Sequence, residues 1–150
     1  MKANFIIPII ISILLGGLCG KLVFDQYQKK EPVFDEKNSA YFLQQGVYST
    51  KESMEKNTKN LPSKLVVLEE EKYYVYVGIT KSQKNADKIK NTYKDLGFDL
   101  YQKEVIVNSN EFIQGLEQYD LLLDSAKKKE EIKSVSDVIL ASYEEILNKQ

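Results

Sequence analysis

Residues 3 to 20, ANFIIPIIISILLGGLCG, carry no charge and lie between Lys2 and Lys21. A helix that crosses a bilayer needs about 17–25 mostly apolar residues and satisfies its backbone polar groups within its own segment. The run meets that length, the more so when Leu22 to Phe24 extend it. It also lacks the polar face of a surface helix in a soluble domain. The expectation is a transmembrane signal-anchor over residues 1–24. A cleaved secretory signal and a lipidated Cys19 are the alternatives. Gly17-Leu18-Cys19 is a poor small-x-small cleavage site, and Leu18 stands where a lipoprotein signal carries a small residue. The short N-terminal tail and the signal-like build favour N-in, C-out, although Lys21, Lys29 and Lys30 weigh against it in a positive-inside count. This makes the chain a single-pass protein of the cell membrane with its C-terminal domain outside the cytoplasm.

Composition removes several chemistries. All 21 basic residues of the 150 are Lys, and the chain has no Arg, no His and one Cys. A Cys/His zinc site and a Ser-His-Asp or Cys-His nucleophile are excluded. The usual bidentate reader of phosphate and guanine is absent, so nucleic acid is not an expected partner. An aromatic sheet face can also serve RNA, but the missing Arg, a net charge of −1 and the exported placement argue against that. No catalytic residue, metal or cofactor is expected. Adjacent acids such as Glu69-Glu70-Glu71 or Glu144-Glu145 diverge on a strand or helix and read as solvated surface.

Residues 25–39 are polar, contain one Pro and read as a tether. Between residues 40 and 108 the periodicity switches repeatedly. Tyr41 to Tyr48 is rich in strand formers, and Ser49-Thr50-Lys51-Glu52 opens a short helix that ends before Leu61-Pro62. Lys64 to Leu68 and Tyr73 to Ile79 are strands joined at Glu69 to Lys72. Ser82 caps a second helix, with Ala86, Ile89, Tyr93 and Leu96 on its inner face and Gly97 as its C′ residue. Phe98 to Val107 is a last strand. The predicted fold class is α+β, a single βαββαβ module with a four-stranded antiparallel sheet and two helices on one face. Strict alternation gives the mainly aliphatic sets to the helices. The open face then carries Phe42, Gln44, Tyr48, Tyr74 and Tyr76. Flat aromatic rings with Gln and Tyr polar groups can stack on sugar rings and bond their hydroxyls.

The same residues resemble a known family. Tyr41-Phe-Leu-Gln44-Gln-Gly46-Val-Tyr48 is similar to the opening strand of SPOR domains (sporulation-related repeats), commonly aromatic-x-Val-Gln-Val-Gly-small-aromatic. Tyr74-Val-Tyr-Val77-Gly78-Ile-Thr80 is similar to that family's internal Val-x-Val-Gly-Pro-aromatic motif. Lys81 to Phe98 resembles its second helix, with Ala86 and the Leu96-Gly97-Phe98 end. The likeness covers residues 40–108. Gln45, Ile79 and Thr80 depart from the pattern. The resemblance implies a non-catalytic module that binds peptidoglycan glycan strands, favours strands stripped of stem peptides, and recruits cell-division or sporulation proteins to the septum. It implies a binding role for Gln44 and Tyr48. The departures motivate a second expectation, an interaction scaffold that has lost glycan binding.

Residues 109–150 lie outside the likeness. Ser109-Asn110 can cap a helix carrying Phe112, Ile113, Leu116, Tyr119, Leu122 and Leu123 at helical spacing. Lys127 to Glu131 is a charge run. Ser134 or Ser136 can cap a last helix bearing Ile132, Val135, Val138, Ile139, Ile146 and Leu147. A hairpin folded back on the module is the first expectation, and a surface for a division or sporulation partner the second. Residues 40–107 hold 11 Lys against 9 acids and residues 108–150 hold 5 against 9, so the two parts differ in sign.

Overall fold

The computed structural model describes residues 38–149. The expected membrane segment and all but the last residues of the tether lie outside them. Among the described residues no helix is long and apolar enough to cross a membrane. The described elements belong to a compact unit, Asp35–Gln150. In chain order they are β1 (Ser39–Tyr48), α1 (Lys51–Thr58), β2 (Leu65–Glu69), β3 (Lys72–Thr80), α2 (Gln83–Lys94), β4 (Tyr101–Ile106), α3 (Asn110–Ser125) and α4 (Lys129–Leu147). The class is α+β, with a four-stranded antiparallel sheet in the order β2-β3-β1-β4. Two interleaved βαβ units give this order, each holding a strand of the other between its own two.

Local chemistry explains the element ends. Thr50 Oγ1 accepts from Ser53 N–H at 3.2 Å to cap α1, and Ser82 Oγ accepts from Asn85 N–H at 3.3 Å to cap α2. The chain leaves α2 through Gly97 at φ +90°, where a side chain would be strained. There Phe98 N–H donates to the Tyr93 carbonyl and Gly97 N–H to that of Lys94, both at 3.0 Å, closing the helix. Ala86, Ile89 and Tyr93 are fully buried as predicted, but Leu96 lies past the helix end and is exposed. α2 sits close on the sheet because Gly78 has no side chain. A Cβ there would lie 3.2 Å from two carbons of Ile89.

The β2–β3 hairpin turns on Glu70 and Glu71, at φ 47° and 62°. Two-residue hairpin turns of this hand favour Asn-Gly, since positive φ costs an ordinary side chain about 1 kcal/mol per residue. The Glu70→Asn, Glu71→Gly double variant is therefore expected to be about 1–2 kcal/mol more stable. A thermal melt checks this, and an unchanged midpoint would contradict the strain.

The C-terminal helices fold back as a hairpin, and α4 begins earlier than its serines suggested. Glu131 reaches back and accepts from the backbone N–H of Lys127 at 3.0 Å and Lys128 at 3.2 Å, so the charge run itself starts the helix. Ser134 and Ser136 lie inside it. Phe112, Ile113, Leu116, Leu123, Ile132, Ile139 and Leu140 are buried in one core with the sheet and α2. Burying each contributes about 1.5–3 kcal/mol, so the hairpin is part of the fold rather than an appendage. Val138 and Leu122, expected on the inner faces, are exposed instead.

The hairpin reaches both sides of the sheet. On the α2 side, Lys88 Nζ donates to the carbonyls of Leu123 (2.7 Å), Asp124 (2.9 Å) and Ala126 (2.9 Å), satisfying the free carbonyls at the end of α3. On the other side, Tyr143 of α4 packs on Phe42 of β1. β2 pairs only with residues 72–76 of β3, which leaves the edge of residues 77–80 without a neighbouring strand. α4 packs along β3, and the hairpin wraps this free edge. A half-buried carboxylate fixes the crossing. Asp120 accepts from the Thr80 hydroxyl, from Lys81 N–H at 2.8 Å and from Asn85 Nδ2 at 3.2 Å.

Candidate functional site

Residues directly opposite in the register share a face of the sheet. Phe42 pairs with Ile79 and Lys103, and Gln44 with Tyr76 and Tyr101. Val47 pairs with Tyr74, which in turn pairs with Val67. These residues form the face away from α2. The other face carries Leu43, Gly46, Tyr48, Tyr73, Val75 and Gly78.

Two irregularities make this differ from strict alternation. The register shifts between Leu43 and Gln44 and again between Gln44 and Gly46. Each extra residue reverses the side taken by everything beyond it. Ile79 therefore joins Tyr74 and Tyr76, and Tyr48 leaves them. Tyr48 was expected beside Phe42 and Gln44, yet it lies on the opposite face. There its hydroxyl donates to Gln45 Oε1 at 2.9 Å.

The expected open face is also only half open. Phe42 is 2% exposed and Tyr76 5%. Their rings meet edge-on with centroids 5.3 Å apart, and Tyr143 meets Phe42 at 5.1 Å and Phe112 at 5.1 Å. Burial pushes the Tyr76 phenol up to about 12, with Glu69, Tyr74 and Tyr143 adding to it. Burial, then Glu69, raises Tyr143 as well. This cluster is core. The end of the C-terminal hairpin covers the half of the face that holds Phe42 and Tyr76, and neither ring is accessible to a ligand.

The uncovered half brings together Gln44, Tyr74, Tyr101, Val47 and Lys103. Gln44 and Tyr74 are half-buried, while Tyr101 is 66% exposed. Lys103 Nζ lies over the Tyr74 ring, 5.5 Å from its centroid. Sequence reasoning missed Tyr101 and Lys103. The alternation Tyr101, Lys103, Val105 carried the signal, but without the register nothing tied it to Gln44. What remains is a shallow platform with an aromatic ring at each end, an amide between them and one cation above. Its chemistry is that of a surface that stacks on rings and bonds hydroxyls.

Among the described residues no cluster of His, Cys, Asp or Glu could hold a metal ion. Comparison with family models, with curated proteins and with solved structures gives no match to this chain.

Proposed function

We propose that the chain is a membrane-tethered, extracytoplasmic and non-catalytic module that binds the glycan strands of peptidoglycan. The uncovered half of its aromatic sheet face is the binding surface. Its role is to bring the protein, and any division or sporulation partner, to the septum. The apolar run at residues 3–20 supports the tether, and the SPOR-like strand and helix motifs support the ligand class. The observation that carries the reading is the exposed Tyr101 beside Gln44 and Tyr74 on one face. An uncharged sugar ring needs a flat partner and adjustable hydrogen-bonding groups, and these three residues supply both.

Truncating a stacking ring removes about 0.5–1.5 kcal/mol, up to roughly tenfold in affinity. Tyr101→Ala and Gln44→Ala are each expected to weaken binding of a soluble peptidoglycan oligosaccharide by several-fold without unfolding the domain. Tyr48→Ala, on the opposite face, is expected to leave it unchanged. Calorimetric titration reads all three, and equal affinities throughout would exclude this face.

A second reading is an interaction scaffold, favoured by the burial of Phe42 and Tyr76. Ile139 and Ile146, on the apolar side of the last helix, are respectively buried in the core and packed against it. On this reading the exposed Leu121, Leu122 and Val138 of the hairpin meet the partner.

A further inference from the structure

Lys103 is an exposed lysine whose ammonium lies over an aromatic ring. It belongs to β4 and Tyr74 to β3, and β1 lies between them. To reach the Tyr74 ring the side chain crosses the face above β1, where Gln44 sits. The residue is exposed, and its ammonium lies over the platform. It has no carboxylate partner among the described residues, whose ion pairs join Lys51, Lys81, Lys84, Lys90 and Lys129 to acids elsewhere. Its neighbour Glu104 pairs with Tyr41 and points to the other face. Glu69, an acid on this face, is on β2 next to β3, where it pairs in register with Lys72 and lies close enough to Tyr76 and Tyr143 to act on their hydroxyls.

A cation over a ring keeps its charge uncompensated, and an arriving carboxylate meets it without breaking an ion pair. We infer that Lys103 makes the platform selective for a carboxylate-bearing saccharide. The sugar ring stacks on Tyr101 while its carboxylate pairs with the ammonium above Tyr74. In peptidoglycan that group is the lactyl carboxylate of muramic acid, which is free only after the stem peptide has been removed. The inference rests on the glycan-binding reading and adds to it the group that is recognised. It assigns any preference for stripped strands to one charge.

The test uses the full chain in mild detergent and two probes. One is a glucosamine–muramic acid tetrasaccharide with free lactyl carboxylates, and the other is the same tetrasaccharide with those carboxylates converted to methyl amides. At low salt the wild type is expected to bind the free acid about tenfold tighter, and the difference should shrink as salt screens the pair. Lys103→Gln should bind both probes as the wild type binds the amide. Equal binding of the two probes by the wild type, with loss on Tyr101→Ala, would overturn the role of Lys103 and leave the glycan reading standing. Discrimination that survives Lys103→Gln would also overturn it. Binding of neither probe would overturn both.

Discussion

Phe42→Ala is expected to destabilise the domain by about 3–5 kcal/mol, the usual cost of emptying a buried aromatic site. The ring is 2% exposed and joins three parts of the fold. It meets Tyr76 of β3 in the sheet and Tyr143 of α4, which in turn packs on Phe112 of α3. Its removal leaves a cavity between sheet and hairpin and forfeits two edge-to-face contacts. Tyr101→Ala, on the same face, should cost less than about 1 kcal/mol because that ring is largely in water. Urea denaturation of the two variants separates the covered half of the face from the open half. Similar small losses at both positions would mean that the hairpin does not cover Phe42.

The second large effect is expected at Asp120. Its carboxylate accepts from Thr80, Lys81 and Asn85, and Asp120→Ala leaves those donors without it in a largely buried place. Losing such partners costs about 1–3 kcal/mol for each group that stays dry, and water entering the gap recovers part of this. A net loss of about 2–4 kcal/mol is the expected result. The pH dependence has a definite sign. Burial raises the Asp120 carboxyl above its ordinary 3.8, and the bonds from Thr80, Lys81 and Asn85 only partly offset it. The folded state therefore holds this proton more tightly than the unfolded state. That contribution to stability is complete below the ordinary value and is lost as pH rises through the raised one. The gap between wild type and Asp120→Ala should be widest in acid and narrow towards neutral pH. A gap that widens with pH would contradict the burial argument.

The elements legible in the sequence are those set by local chemistry. Ser82, the 3-4 spacing of Ala86, Ile89 and Tyr93, and Gly97 at positive φ fix α2 without help from the rest of the chain. The order of strands and helices follows from such signals. The faces of the sheet do not. An extra residue at Gln45 in β1 and another at Val77 in β3 reverse the sides of Tyr48 and Ile79, and nothing in their composition announces this. The Glu70-Glu71 turn is equally silent, because it lacks the residues such turns favour. The hairpin of α3 and α4 was legible as two amphipathic helices, but where it docks depends on β2 stopping short along β3. That docking decides the candidate site. It closes over Phe42 and Tyr76 and leaves Gln44 and Tyr74 to join Tyr101.

The most direct test of the central claim is co-sedimentation of the unit spanning residues 35–150 with purified sacculi, intact and amidase-stripped. Wild type, Tyr101→Ala and Tyr48→Ala would be compared. The wild type and Tyr48→Ala are expected to sediment with stripped sacculi, and Tyr101→Ala to stay largely in solution. Folded wild-type protein that ignores both preparations, or Tyr101→Ala that sediments as well as the wild type, would contradict that claim.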